Sequence, residues 1–261
     1  MNLKMIDRTE VKEDKNHRVR VLQFGEGCFL RAFVDWMIDI ANERGATDTR
    51  IAIVSPRFGD GRAVRTLKTQ QGVYHVVLEG MADSQPKREI RMISSIADVM
   101  APVLPADMVR YKEYVTSPDL RFVVSNTTEA GISYDKDDIL SEIPATFPGK
   151  IASMLWRRYC FFQGDPTKGL IFICCELIEE NGSTLRDIVL RHVSEAGMPH
   201  GFVEWVERSN FFVDTLVDRI VSGFPTDTID DVKAELGYDD NAVVKGELYH
   251  LWAIGEKTIG K

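Results

Sequence analysis

Two glycines, Gly25 and Gly27, provide the kind of backbone turn that can bind a phosphate group. They directly follow an apolar run in residues 18–24 (RVRVLQF), and apolar residues recur at helical spacing across residues 29–40. In a nucleotide-binding fold, the first glycine permits a tight turn, and the second lets backbone N–H groups approach a pyrophosphate. Leu30 occupies the place of the third glycine of the usual G-x-G-x-x-G motif, so a plain tight turn remains the alternative.

The next apolar segment, residues 50–54 (RIAIV), predicts a second buried strand, and its end is where such a fold selects its cofactor. NAD enzymes usually present an acid there for the ribose hydroxyls, whereas an arginine accepts the additional phosphate of NADP. This chain presents Ser55 and Arg57, with Asp60 further along. These residues leave the choice open and by themselves favour NADP slightly.

Polar side chains follow two later predicted strands. Residues 121–125 (RFVVS) end in a polar stretch that begins at Asn126, and Glu176 stands near the end of residues 169–177 (GLIFICCEL). Groups just past the carboxyl ends of strands line the crevice where open α/β sheets bind ligands. A hydrogen-bonded turn explains the polar stretch equally well. We interpret Glu176 as a side chain that faces the cleft.

The order of predicted elements indicates an α/β fold, a doubly wound and mostly parallel Rossmann-type sheet with an inserted antiparallel hairpin. Residues 73–78 and 89–96 form that hairpin around a polar turn. Residues 202–208 and 211–221 are helical in period. Three regions are predicted: a polar arm in residues 1–17, a dinucleotide-binding domain in residues 18–225, and the beginning of a mainly helical domain in residues 226–261.

Composition narrows the class of protein. With 261 residues the chain is long enough to bury a full core, and its net charge of -8 argues against nucleic-acid or membrane-surface partners. It has neither an apolar signal region nor a run of about eighteen apolar residues, so a cytoplasmic protein is expected. The four cysteines, which form neither a disulfide framework nor a zinc site, are Cys28, Cys160, Cys174 and Cys175.

Five segments, in the same order, resemble the polyol-specific long-chain dehydrogenases and reductases, the family of mannitol dehydrogenases and hexuronate reductases. They are residues 24–33 (FGEGCFLRAF), 125–132 (SNTTEAGI), 147–159 (FPGKIASMLWRRY), 175–182 (CELIEENG) and 215–220 (TLVDRI). Together they are far more specific than the lone G-x-G. The resemblance implies an NAD-dependent enzyme that interconverts D-tagaturonate and D-altronate, a small sugar-acid pair, by hydride transfer.

The resemblance also implies the residues that bind each ligand. At the cofactor turn these are Phe24, Gly25, Glu26, Gly27, Cys28, Phe29 and Arg31. Ser55 and Arg57 would lie at the adenosine ribose, and Asn181 and Asp218 would face the substrate together with Glu176. On the nicotinamide side the implied residues are Asn126, Thr127, Thr128 and Glu129.

Two departures from the family pattern matter. Glu176 and Leu177 stand where mannitol dehydrogenases carry Asp-Asn, which argues against mannitol and suits the hexuronate branch. The family's catalytic base is a lysine in a K-x-x-x-x-N-x-x-H motif on a helical carboxyl-terminal domain, and this chain holds no such motif. We therefore expect a fragment that binds cofactor, does little chemistry and self-associates through the surface that the rest of the enzyme would cover.

Other functions fit parts of the pattern. A non-catalytic dinucleotide-binding module would also lack the lysine motif. An S-adenosylmethionine methyltransferase would normally carry an acid at the end of the second strand, where Ser55 stands. A fructuronate reductase acting on mannonate, or another polyol dehydrogenase, would share the same family segments.

Overall fold

The computed structural model describes residues 3–11, 17–127, 131–136, 138 and 143–255. The strands are β1 (Lys4–Met5), β2 (Arg18–Phe24), β3 (Thr49–Val54), β4 (Tyr74–Ala82), β5 (Gln85–Ile93), β6 (Ile96–Met100), β7 (Phe122–Ser125), β8 (Ile171–Cys174), β9 (Phe211–Val213), β10 (Thr215–Asp218), β11 (Tyr238–Asp239), β12 (Val244–Glu247) and β13 (Leu251–Ile254). The helices are α1 (Cys28–Ala32), α2 (Val34–Glu43), α3 (Arg62–Thr69), α4 (Pro105–Val115), α5 (Phe147–Phe161), α6 (Asn181–Glu195), α7 (His200–Ser209) and α8 (Ile229–Leu236). Within this described part, no helix has both the length and the apolar character needed to cross a bilayer.

The central sheet has six parallel strands in the order β6-β3-β2-β7-β8-β9. Its strands are strongly apolar because helices cover both faces, and separate buried clusters lie on either side. The strand order reverses at β2, which lies between β3 and β7. The predicted α/β Rossmann-type fold is confirmed, and a ligand crevice is expected at the carboxyl ends of these three strands.

A second sheet contains the predicted antiparallel hairpin. β4 and β5 pair from Tyr74 opposite Ile93 to Ala82 opposite Gln85, so the hairpin is longer than its sequence pattern indicated. β6, which follows it, was not predicted as a separate strand. It carries Asp98 in its middle and pairs with β3 at the edge of the central sheet.

The predicted helix over residues 211–221 is wrong. Residues 211–213 form β9, which pairs in parallel with β8, and residues 215–218 form β10, which pairs antiparallel with β13. Short apolar runs fit both helical and strand spacing, so periodicity alone does not distinguish them. Here the open edge of β8 provides hydrogen-bonding partners that favour a strand.

Residues 226–255 contain one α-helix (α8), a short 3-10 helix in residues 226–228 and three strands, whereas the beginning of a mainly helical domain is predicted there. β12 pairs in parallel with β4, and β11 pairs with β1. The contact between this segment and β4 is reinforced by Asp240, whose Oδ2 accepts from the backbone N–H of His75 at 2.7 Å. The expected helical character is therefore corrected for residues 238–254, because unpaired strand edges elsewhere in the chain bind this segment.

Candidate functional site

A cleft of about 750 Å³ opens at the carboxyl ends of β2, β3 and β7. It lies at the point where the strand order reverses, as expected for a ligand site in this fold. Seven of the predicted residues line it: Gly25, Glu26, Gly27, Ser55, Arg57, Asn126 and Thr127. Pro56, which lies between Ser55 and Arg57, also lines it. The lining residues that were not predicted as site residues are Gly59, Gly61, Gly131, Ser133, Ala145, Thr146, Phe147 and Lys150.

The turn after β2 requires glycine at one position and leaves space at the other. Gly25 has a φ of 140°, and a Cβ atom there would lie 2.9 Å from Cδ1 of Leu30. Leu30 thus fills the space beneath the turn, which explains why a third glycine is not needed. Gly27 has a φ of -67°, and a Cβ atom built on it would meet no heavy atom within 4 Å. A ligand can therefore approach the backbone at Gly27.

Two side chains brace the carbonyl groups of this turn. The Gln23 amide donates from Nε2 to the Gly25 carbonyl at 3.0 Å, and Arg31 donates from Nε to the Glu26 carbonyl at 3.0 Å. The Arg31 guanidinium is buried and also donates to the Ala242 carbonyl at 2.5 Å. Arg31, predicted to bind cofactor, instead lies behind the turn and holds its shape.

The remaining residues predicted at the turn lie outside the cleft lining. Phe24 is fully buried and packs against Phe147 with ring centroids 5.3 Å apart, so its predicted contact with cofactor is corrected to a core contact. Cys28, the half-buried first residue of α1, lies 3.3 Å from the Arg31 guanidinium. Phe29 stacks on Phe33 with ring centroids 5.0 Å apart. Thr128 and Glu129 lie outside the residues that the structure describes.

Glu176 connects the ends of β7 and β8 and does not face the cleft. Its side chain is buried, and Oε1 accepts from both the backbone N–H and the hydroxyl of Thr127, at 2.9 and 3.0 Å. Oε2 accepts from the Ser125 hydroxyl at 3.1 Å. Its predicted substrate-facing role is corrected, because the donors that follow β7 bind the carboxylate and fix the wall of the cleft.

Asn181 is also a structural residue here. Its side chain is fully buried, and Nδ2 donates to the carbonyls of Glu176 and Thr215 at 2.9 and 3.0 Å. Oδ1 accepts from the N–H groups of Gly182 and Thr215 at 2.8 and 3.0 Å. Because two donors and two acceptor positions are all used, the prediction that Asn181 faces substrate is corrected. Asp218 is exposed on β10, and its substrate-facing role stays a prediction.

Charged groups give the cleft its chemistry. Arg57 is exposed at its rim, and Lys150 is buried on α5, where its Nζ donates to the Ala145 carbonyl at 2.7 Å and lies 5.2 Å from the Phe58 ring centroid. Burial lowers the pKa of Lys150, and the charge of Asp138 opposes that shift. This pair of cations complements an anionic ligand.

Among the described residues that line the cleft, Glu26 is the acidic one. Its Oε2 is buried without a hydrogen-bond partner among the described residues. Burial raises the pKa of Glu26, while the charges of Arg31 and Arg57 act in the opposite direction. The shift reduces the negative charge that an anionic ligand would meet at the turn. In the described part of the chain, no group of three or more His, Cys, Asp or Glu side chains is arranged to hold a metal ion.

The position of Lys150 in the sequence could have identified it as a candidate site residue. It lies in the first turn of α5 between Phe147 and Ile151, which are buried, and Met154 continues the same face one turn later. A lysine on an otherwise apolar face needs an acceptor or a ligand to compensate its charge. A lysine in this position is therefore a candidate ligand-binding residue on sequence grounds alone.

Comparison with known sequences shows which proteins this chain is similar to. Residues 19–261 match the family model described as the mannitol dehydrogenase Rossmann domain. The chain is 46% identical to altronate oxidoreductase of Bacillus subtilis (strain 168) over 244 residues, which are 93% of this chain and 50% of that protein. It is 40% identical to altronate oxidoreductase of Escherichia coli O7:K1 (strain IAI39 / ExPEC) over 92% of this chain and 50% of that protein. The chain thus spans about half the length of these relatives.

Two solved structures share the fold. Mannitol 2-dehydrogenase of Pseudomonas fluorescens, in a ternary complex with NAD and D-mannitol, superposes with a TM-score of 0.79 at 22% identity. The match covers 99% of this chain and 56% of that one. A D-sorbitol dehydrogenase in substrate-free form superposes with a TM-score of 0.77 at 20% identity, covering 98% of this chain and 56% of that one. At these identities the likeness establishes the fold.

Proposed function

Because this chain belongs to the mannitol dehydrogenase family, whose Rossmann-domain model it matches over residues 19–261, we propose that its cleft binds NAD. The observation that carries the proposal is the position of the cleft, at the strand-order reversal and beside a glycine turn with open space at Gly27. The cations of Arg57 and Lys150 suit the negative charge of the cofactor. When bound, NAD would accept or supply a hydride.

The strand order suggests how the cofactor lies. In this fold the diphosphate crosses the end of the first strand of the sheet, which here is β2 with Gly25 and Gly27. The adenosine then lies toward β3, near Ser55 and Arg57, and the nicotinamide lies toward β7, near Asn126 and Thr127. Glu176, which accepts from Thr127, would keep the nicotinamide side of the cleft in place.

For the full reaction we propose the interconversion of D-tagaturonate and D-altronate. The altronate oxidoreductases at 46% and 40% identity support this choice over other polyols. Since those relatives are about twice as long as this chain, hydride transfer is proposed for a protein of their length, and cofactor binding for these 261 residues. The chain would bind and orient the nicotinamide; it holds no K-x-x-x-x-N-x-x-H motif to accept the substrate proton.

A fluorescence titration with NADH, followed by addition of tagaturonate or fructuronate, tests the proposal. Saturable NADH binding is the expected result. Absence of binding to the folded chain would contradict the cofactor site. In a protein of the relatives' length, faster oxidation of NADH with fructuronate than with tagaturonate would reassign the substrate to the mannonate pair.

The preference for NADH over NADPH is expected to depend on Arg57. An Arg57→Ala variant should weaken NADPH binding by about tenfold and NADH binding by less, because the additional phosphate carries charge to the end of β3. Parallel fluorescence titrations with both nucleotides measure the difference. Arg208→Ala serves as the matched control, since Arg208 is exposed on α7 and pairs with Glu204 away from the cleft. Equal losses for both nucleotides in the Arg57 variant would contradict a role at the ribose.

We also propose that the chain self-associates through the β10 and β13 sheet. Large apolar side chains are exposed there and just past the end of β10. Leu216 on β10 has 60% of its full exposure, Ile220 beyond the end of β10 has 67%, and Leu251 on β13 is also exposed. Sedimentation at increasing concentration should detect association, and a Leu216→Lys, Ile220→Lys variant should sediment as a monomer. Met81→Lys is the control, because Met81 is equally exposed on the hairpin. A monomeric unmodified chain at all concentrations would rule the proposal out.

A further inference from the structure

Three oxygen atoms behind the cofactor turn need more hydrogens than one tyrosine supplies. The Tyr74 hydroxyl oxygen lies 2.9 Å from the Arg31 carbonyl and 2.9 Å from Oδ2 of Asp35. The side chains of Tyr74 and Asp35 are fully buried. The hydroxyl has one hydrogen, and the carbonyl has none. If Tyr74 donates to Arg31, the contact with Asp35 requires a hydrogen on the Asp35 carboxyl.

A second hydrogen count leads to the same residue. Neither Oδ1 of Asp35 nor Oε1 of Gln23 has a hydrogen-bond partner among the described residues, and both atoms are buried. The Gln23 amide cannot be turned around at no cost, because its Nε2 donates to the Gly25 carbonyl. An ionised Asp35 would add a buried negative charge to this set of unpaired acceptors, whereas a neutral acid adds a donor.

The groups that face Asp35 come from four elements. They are the Gln23 amide from β2, the Arg31 guanidinium from α1, the Asp39 carboxyl from α2 and the Tyr74 hydroxyl from β4. Burial is the largest influence and raises the pKa of Asp35 to about 7, although Tyr74, Gln23 and Arg31 favour the ionised form. The electrostatics therefore agree with the hydrogen count.

We propose that Asp35 is a neutral carboxylic acid in the folded chain and acts as a positioning residue for the cofactor turn. This inference rests on the proposed function of that turn. The Asp35 carboxyl is hydrogen-bonded to the Tyr74 hydroxyl, which donates to the Arg31 carbonyl. The Arg31 side chain in turn donates to the Glu26 carbonyl. Asp35 also faces the Gln23 amide, which donates a hydrogen bond to the Gly25 carbonyl. Loss of its proton would loosen the supports of both carbonyls.

The sign of the pH effect follows from linkage. An unfolded aspartate loses its proton near its ordinary pKa of 3.8, whereas the folded Asp35 keeps it until about 7. The contribution of Asp35 to stability is therefore fully present below the lower value, falls as the pH rises between the two, and is constant above the higher one. NADH binding should weaken as the pH rises through about 7, when Asp35 ionises in the folded chain.

The test compares NADH dissociation constants at about pH 6 and about pH 8.5 for the unmodified chain, Asp35→Asn and Glu43→Gln. Asparagine supplies a hydrogen at every pH, so the dissociation constant of Asp35→Asn should change several-fold less between the two values. Glu43→Gln is the matched control: Glu43 is also on α2, but its side chain is exposed and pairs with Arg91 at 2.9 Å, and it is not among the groups that face Asp35. It should retain the pH dependence of the unmodified chain.

Equal pH dependence in the unmodified chain and Asp35→Asn would overturn the inference. If the unmodified chain bound no NADH at either pH, the proposed function would fail, and the role of Asp35 at the turn would fail with it. Thermal unfolding across the same pH range would still test the proton itself, with a steeper fall for the unmodified chain expected. Should Asp35→Asn not fold, carboxyl ¹³C NMR of the unmodified chain decides. An aspartate that titrates near neutral pH supports a protonated Asp35, and the absence of such an aspartate overturns the inference.

Discussion

Replacing Gly25 with alanine is expected to weaken NADH binding by at least about tenfold, or about 1.4 kcal/mol, and to destabilise the fold. The φ of 140° is unfavourable for any residue with a Cβ atom, and that atom would lie 2.9 Å from Leu30 and 3.4 Å from the Asn126 carbonyl. The free energy of unfolding should fall by about 1–3 kcal/mol. Urea unfolding and NADH fluorescence titration measure the two effects.

Gly27→Ala is the matched control for that substitution. Gly27 has an extended-type φ of -67° and open space around its Cβ position, so the free energy of unfolding should change by less than about 0.5 kcal/mol. NADH binding should still weaken, because the added methyl group projects where the ligand approaches. Equal destabilisation by the two substitutions would contradict the description of the turn.

Replacing Arg158 with methionine is expected to cause the largest loss of stability, about 3–4 kcal/mol. Arg158 is 1% exposed, and its guanidinium donates to four backbone carbonyls. These are Val115 at 2.6 Å, Ser117 at 2.9 Å, Leu120 at 3.3 Å and Lys168 at 2.6 Å. Methionine fills similar volume but leaves those acceptors unpaired. Burial lowers the pKa of Arg158 to about 10, so the side chain is charged at neutral pH.

The neighbouring arginine provides the control. Arg157→Met makes the same chemical change on the exposed face of α5, and the free energy of unfolding should change by about 0.5 kcal/mol or less. Urea unfolding of both variants under the same conditions measures the difference. Similar losses for the two would mean that the carbonyl contacts of Arg158 contribute little to stability.

Local sequence patterns predicted the elements around the glycine turn well. They failed where strand pairing between residues far apart in the chain decides the structure. The run before Gly25 corresponds to β2, and the helical spacing after it corresponds to α1 and α2, which the structure divides at Phe33 where one helix was predicted. Residues 211–221 have apolar residues compatible with both periods, and the edge of β8 selects strand. Residues 238–254 contain three strands, β11, β12 and β13, because β1, β4 and β10 lie beside them. No window of sequence around those residues contains that information.

The candidate site shows the same division. Position at a strand end correctly placed Ser55, Asn126 and Thr127 in the cleft lining. It failed for Glu176, and the family resemblance failed for Asn181, because side-chain direction is decided by partners far along the chain, such as Thr215 for Asn181. Sequence position predicts which residues are near a cleft, and hydrogen-bond partners decide which of them face it.

The pairing of β12 with β4 has a consequence for synthesis on the ribosome. Residues 76–79 of β4 find their parallel partners only in residues 244–247, and β1 likewise awaits β11. A nascent chain that has already formed its six-stranded sheet therefore presents the free edge of β4 until almost all of these residues have emerged. Such long-range closure slows folding, and an open strand edge invites pairing with another chain. The growing polypeptide is thus exposed to pairing with another chain at β4 until β12 has emerged.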